Sequence, residues 1–291
     1  MAKERKILFC EGSVQSCDIR ILKKLLKLTC QVVAGGSTRG LRKRIDLARQ
    51  IYSTESVYAI RDRDFPEKWT GVSQKVLDWI TPDHLGKMKQ WGWIWARREI
   101  ENYFIDPIIV QKSLDVHVQQ KIADVNHFNL EEYISAINSA RDSIMIYQAA
   151  RIALTQAGKP SYLRTNFGKT RGKYNYRFPQ KRDILSCEQE MKKLFQNRNR
   201  QFITINETLD NFHRIFEEEC SFGKPRYNDY LYAFSGKDIL WAMEEWFSKT
   251  GFKNNITFQE IILTGIENSH EDIATWCNEW QNLLEVVCKI D

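Results

Sequence analysis

The sequence has no Cys-x-x-Cys pair. Its seven cysteines, at positions 10, 17, 30, 187, 220, 277 and 288, are odd in number and scattered, which argues against a zinc ribbon or a disulfide framework and predicts reduced, mostly buried thiols. The five histidines (84, 117, 127, 213 and 270) form no His-x-x-x-His or similar pair, so a histidine-metal nuclease is disfavoured. No Gly-x-x-x-x-Gly-Lys-Ser/Thr loop occurs, so any nucleotide hydrolysis has to come from a partner. No apolar run approaches membrane-spanning length, and Ile7 to Cys10 is too short for the apolar region of a signal peptide. These absences predict a cytoplasmic protein with no membrane association.

The 291 residues allow one large domain or two ordinary ones, and 43% hydrophobic content with 12% aromatics is ample for a core. Net charge is only +6, which favours an anionic partner only where the positive charge is clustered.

Three short apolar runs end in chemistry. Ile7-Leu8-Phe9-Cys10 is closed by Glu11-Gly12, Gln31-Val32-Val33-Ala34 by Gly35-Gly36, and Val57-Tyr58-Ala59-Ile60 leads to Arg61-Asp62-Arg63-Asp64. Runs without polar alternation suit strands buried on both faces. The segments between them, with Ile19, Leu22, Leu25, Leu26 and Leu28 and then Leu41, Ile45, Leu47, Ala48 and Ile51, have helical periodicity. The pattern predicts an α/β fold with consecutive βαβ units and a parallel sheet. Glu11, the Gly-Gly turn, Asp62 and Asp64 then fall at its C-terminal edge, where open sheets bind ligands. Asp62 and Asp64, one residue apart, would point the same way and attract Mg²⁺ or Mn²⁺.

Trp91 to Ala96 reads as a fourth strand whose three tryptophans belong to the core. It leads into Arg98-Glu99-Ile100-Glu101-Asn102-Tyr103. Glu99 and Glu101 either bring further carboxylate to the same edge or form an exposed helix start that meets the macrodipole. Beyond Pro107 the periodicity is helical: 108–118, 130–154, 184–195, 208–220, 237–247, 258–263 and 273–287. The expected division is residues 1–106, α/β, and residues 107–291, mostly helical.

Within the second part, Gly158 to Arg182 holds eight Lys/Arg and no Asp or Glu, more positive charge than the whole chain's net, with five aromatics interleaved. Lys169, Arg171, Lys173, Arg177, Lys181 and Arg182 suit phosphates, and Tyr174 and Tyr176 suit stacking on unpaired bases. The alternatives are a solvated loop or a surface for an acidic protein.

The constellation resembles the TOPRIM domain, a Rossmann-like parallel sheet flanked by helices. The resemblance rests on Phe9-Cys10-Glu11-Gly12, Ala34-Gly35-Gly36 and Ile60-Arg61-Asp62-Arg63-Asp64. Arg98 to Tyr103 and Phe234-Ser235-Gly236-Lys237-Asp238-Ile239-Leu240 are similar to stretches of compact OLD-like (overcoming lysogenization defect) TOPRIM nucleases, the effectors of PARIS-type anti-phage ATPase–nuclease pairs. The resemblance implies a Mg- or Mn-dependent endonuclease, a phosphodiester hydrolase. Glu11, Asp62, Asp64 and Glu101 would be its metal ligands, with Glu11 alternatively a general acid/base and Lys237 a charge neutraliser at the phosphate. It further implies tRNA or other RNA as substrate ahead of DNA, control by a separate ABC-type or SMC-like ATPase and a toxic antiviral role; a homodimer is expected because closed two-fold assemblies are the commonest. Where many relatives carry an acid four positions after the motif Glu, this chain has Gln15, with Asp18 three residues later. The competing expectation is therefore a catalytically weak adaptor of the same fold that holds a partner ATPase or nucleic acid.

Overall fold

The computed structural model describes residues 6–52, 56–63, 71–83, 85–125, 127–158, 182–196 and 204–289. Asp64 lies outside them, as do the candidate nucleic-acid contacts from Lys169 to Lys181; Arg182 is described.

The fold is α/β. β1 (Ile7–Cys10), α1 (Cys17–Leu25), β2 (Gln31–Ala34), α2 (Thr38–Tyr52) and β3 (Val57–Arg61) follow the predicted alternation, and β4 (Leu77–Pro82) and β5 (Met88–Ile94) complete the sheet. Strand order is β2-β1-β3-β5-β4. All neighbours are parallel except β4, which pairs antiparallel with β5. Cys10 is level with Ala34 and with Ile60, so Glu11, Gly35 and Arg61 share the next rank of the sheet and Asp62 lies one step beyond.

Side chains alternate between the two faces. On one face Ile7, Val57, Ala59, Trp79 and Trp91 pack with Leu41, Ile45 and Ala48 of α2. On the other, Leu8, Cys10, Ile60 and Trp93 join α1 and the helical region in one apolar cluster that continues to Tyr133, Leu154, Phe234 and Trp280. Apolar packing is therefore continuous across residue 106. Trp91, Trp93 and Trp95 are all buried, as expected of core residues.

The helical part begins with α3 (Pro107–Gln120), capped by Asp106, whose carboxylate accepts from the amides of Ile108 and Ile109. α4 (Leu130–Gln156), α5 (Ile184–Gln196) and α6 (Ile205–Ile215) follow, the last running into a π-helical turn over Phe216–Cys220. Two single turns, α7 (Pro225–Asn228) and α8 (Tyr230–Ala233), precede α9 (Gly236–Ala242) and α10 (Glu244–Lys249). α11 (Asn255–Asn268), a 3₁₀ turn (Ile273–Trp276) and α12 (Asn278–Cys288) complete the described chain. Two predicted helices are thus broken: 237–247 divides at Met243, and 273–287 at Cys277. α1 is tied to α11 through Arg20, whose guanidinium donates to Glu260 and Glu267.

A candidate carboxylate centre at the sheet edge

The end of β3 is extended by backbone pairing: the Trp95 amide donates to the Arg61 carbonyl (3.0 Å), and the Arg63 amide to the Arg98 carbonyl (3.0 Å). These contacts bring the chain after β5 alongside Asp62. It then turns into a 3₁₀ helix over Ile100–Tyr103, with Glu99 as its cap. Glu99 is buried, 4% exposed, which overturns the exposed helix start for that residue.

Two stretches that the sequence offers separately interlock here. Asn102 is fully buried and uses its whole amide. Its Oδ1 accepts from the Glu99 amide (3.2 Å) and the Gly236 amide (3.2 Å), while Nδ2 donates to the carbonyls of Leu231 and Phe234 (2.9 Å each). Glu99 Oε1 accepts from the Ser235 hydroxyl and from the Lys237 amide (2.9 Å). Lys237 Nζ lies 3.2 Å from Glu99 Oε2 and 3.2 Å from Glu101 Oε1. Gly236 is required by contact: a Cβ there would lie 2.5 Å from the Asn102 nitrogen and 2.5 Å from the Glu101 carbonyl carbon. From the other side, Asp238 of α9 pairs with Arg151 and accepts from Gln148 Nε2 (2.7 Å), both on α4.

The structure brings Asp18, Asp62 and Glu101 within electrostatic range of Lys237, and Glu11 within range of Asp18. Burial pushes Asp62 well above the usual carboxylate range; Asp18 adds to this by repulsion, Lys237 opposes it, and Glu99 and Glu101 raise it further. Burial and repulsion from Glu101 likewise push Asp18 up to about 7, with Lys237 pulling the other way and Glu11 adding to the rise. Cys17 is pushed up to about 12 by burial, then by Glu101 and Asp18. A thiol held so firmly protonated is not a nucleophile at neutral pH.

Asp18 therefore joins the cluster, while Gln15 is exposed to solvent. One further helical step carries the acid to the edge that Gln15 misses. Asp62 Oδ1 is inaccessible to solvent and has no hydrogen-bond partner among the described residues. Such an oxygen costs free energy unless something unseen completes it.

The donor set is hard oxygen, the kind Mg²⁺ and Mn²⁺ take. Among the described residues no three His, Cys, Asp or Glu side chains converge closely enough to hold an ion. The residues thus fit such a cation in donor chemistry and in the incomplete Asp62 oxygen; convergence would require side-chain rotation.

Sequence reasoning offered Glu99 as a carboxylate at this edge but missed Asn102 and Ser235 as builders of the centre. The signal available was the short polar run in each of two stretches more than a hundred residues apart. Neither a scan against models of known protein families nor a search of curated proteins finds a match for the chain.

Proposed function

We propose that the chain is a Mg²⁺- or Mn²⁺-dependent endonuclease that hydrolyses phosphodiester bonds of structured RNA, tRNA ahead of DNA, at the C-terminal edge of the sheet. The observation that carries this reading is the Asp62 carboxylate, repelled by Asp18, Glu99 and Glu101, with one solvent-inaccessible oxygen that has no hydrogen-bond partner among the described residues. Like charges packed this way repel, and a divalent cation turns that repulsion into coordination.

Glu11, Asp62 and Glu101 would hold the cation, with Asp64 in the same set by sequence and Asp18 in place of the acid missing at Gln15. When bound, the cation supplies Lewis-acid stabilisation of phosphoryl oxygens and a more acidic water. Glu11, on the turn after β1, would alternatively be the general acid/base. Asp18, poised near neutrality, is a second group able to exchange a proton there. Lys237 keeps about a third of its side chain exposed while bridging Glu99 and Glu101, so its ammonium is held in place and open to a phosphate oxygen. Resemblance to PARIS-type effectors supports control by a separate ABC-type or SMC-like ATPase and a toxic antiviral role, and the prevalence of closed two-fold assemblies supports a homodimer. The basic run Gly158 to Arg182 supports substrate binding by its composition.

Incubation of the purified chain with tRNA and with duplex DNA in Mg²⁺ or Mn²⁺, with and without the ATPase encoded beside it, tests the activity. Cleavage is expected, and Asp62→Ala is expected to abolish it; intact substrates under every condition would count against the reading. The second reading, an adaptor of weak activity, draws on the lack of three convergent ligands among the described residues. It wins if Asp62→Ala and Glu11→Ala leave both partner binding and defence intact.

A further inference from the structure

Beside the carboxylate centre, the turn after β2 is tied to the turn after β1. The Gly12 amide donates to the Gly36 carbonyl (2.9 Å), and the Gly36 amide donates back to the Gly12 carbonyl (3.1 Å). Gly36 has φ +71°, a conformation in which a side chain is strained, and the space above it is taken by Arg44. Arg44 Nη2 lies 3.4 Å from where a Gly36 Cβ would sit, and Arg44 Nε lies 3.5 Å from the corresponding point on Gly40. The reach follows from helix geometry: Cα–Cβ bonds tilt toward the N-terminus, so a long side chain in the second turn of α2 lies back over the first. The guanidinium therefore rests on a glycine whose hydrogen-bonded partner is the neighbour of Glu11.

Arg44 is exposed and has no carboxylate partner among the described residues. It closes a run of three exposed cations, Arg42, Lys43 and Arg44. The one acid of α2, Asp46, is already engaged by Lys89 of β5 at 3.1 Å. Arg49, the remaining described arginine of the helix, is buried and donates to the Val57 carbonyl. Arg42 donates to the Thr81 hydroxyl of β4 (3.4 Å), level with Lys89, so the exposed charge left near Glu11 is that of Lys43 and Arg44. An arginine without a carboxylate, laid against bare backbone beside an acidic centre, is suited to bidentate recognition of a phosphate.

We infer that Arg44, with Lys43 beside it, binds a backbone phosphate of the nucleic-acid substrate flanking the bond that the carboxylate centre cleaves. This inference rests on the proposed phosphodiesterase reading for what occupies the neighbouring centre. Arg44 is a positioning residue, acting on a phosphate next to the reacting one.

The test uses the full chain carrying Asp62→Ala, which keeps a substrate intact, and a fluorescein-labelled tRNA measured by anisotropy over a series of salt concentrations. Adding Arg44→Gln should weaken binding about tenfold or more, the range of a charge-assisted hydrogen bond. It should also make the slope of log affinity against log salt shallower by roughly 0.7 to 0.9, one phosphate contact. Arg44→Lys should restore the slope but only part of the affinity, since a point charge lacks the fork. Lys27→Gln, an exposed cation just beyond α1 on the other face of the sheet, should change neither. Unaltered affinity and slope in Arg44→Gln would overturn the inference, as would an equal loss in Lys27→Gln. Should Arg44→Gln lower the melting temperature, Lys43→Gln decides: an unchanged salt slope in a stable protein overturns it. If the parent chain binds tRNA but never cleaves it with Asp62 restored, the cleavage reading fails while the Arg44 comparison still stands. If the parent binds no nucleic acid, both fail.

Discussion

Two buried clusters of charge lie within a few residues of each other in sequence, and they differ in balance. Around Arg97 one guanidinium serves two carboxylates: it lies 2.6 Å from Asp106 and 3.6 Å from Glu279, donates to the Asn102 carbonyl and sits 4.5 Å from the Tyr103 ring centroid. Glu279 in turn accepts from the Ala96 amide. Around Asp62 the carboxylates of Asp18, Glu99 and Glu101 face one another with Lys237 as the cation they share. Burial raises the proton affinity of Glu279 as it does that of Asp62, so burial alone does not separate the two. The separating feature is the ratio of anions to cation: two carboxylates share Arg97, whereas Asp18, Asp62, Glu99 and Glu101 share Lys237. A buried network held by an arginine is architecture, and an excess of carboxylate at a sheet edge marks a candidate ligand site.

Removing one charge from each cluster should give opposite results. Arg97→Ala strands two buried carboxylates and should cost about 3–5 kcal/mol, the range for breaking a buried pair, read from urea unfolding. Asp62→Asn keeps the shape and removes a repelling charge. Without metal it should leave stability unchanged or raised, while cleavage falls by orders of magnitude. If Asp62→Asn destabilises as much as Arg97→Ala, the edge carboxylates are architecture too and the distinction fails.

Acidity offers a second way to separate the clusters. Asp18, at about 7, and Asp62, also raised, bind protons in the folded state at pH values where the unfolded chain has released them. Where the native state holds more protons, stability falls as pH rises. The metal-free protein should therefore gain stability as pH falls from above 7 toward about 4, the ordinary aspartate value, with the Asp18 part of the penalty complete above 7. Saturating Mn²⁺ needs the ionised carboxylates and should reverse the trend, giving the larger rise in melting temperature on the alkaline side. Thermal melts at several pH values, with Mn²⁺ and with a chelator, check this; a Mn²⁺ effect that does not change with pH would refute it.

The sheet edge was legible in the sequence because its strands are short apolar runs closed directly by Glu11, Gly35 and Asp62. β4 was not. Leu77-Asp78-Trp79-Ile80-Thr81-Pro82 is an edge strand in which the exposed Ile80 follows the buried Trp79, and its register against β5 shifts there so that Trp91 is passed over; neither a continuous apolar run nor strict alternation marks it. The break at Met243 was equally hidden, since no Gly or Pro interrupts Lys237 to Phe247. Asp18 could be named as a substitute for the acid missing at Gln15, but only the course of α1 brings it to the cluster. Asn102 was invisible as a builder because its partners, Leu231, Phe234 and Gly236, are more than 120 residues away and are brought to it by tertiary packing alone.

That same residue gives the smallest and most discriminating effect. Asn102 belongs to neither cluster by charge, yet it touches both: its carbonyl accepts from Arg97, and its side chain fixes Glu99 and the turn before Lys237. Asn102→Ala removes one side chain and leaves two amides and two carbonyls to find other partners. A net loss of about 1–3 kcal/mol is expected, since an unsatisfied buried group costs that much and relaxation or water recovers part of the rest. The stronger readout is kinetic. Loosening the turn that carries Lys237 should lower kcat with little change in KM if, as proposed, Lys237 acts at the reacting phosphate while substrate is held elsewhere. Asn102→Asp retains the acceptor but sets a new charge beside Glu99, and should be worse in both measures. If Asn102→Ala loses stability and keeps full kcat, the clamp belongs with the Arg97 network, and the boundary between architecture and site lies at Lys237 itself.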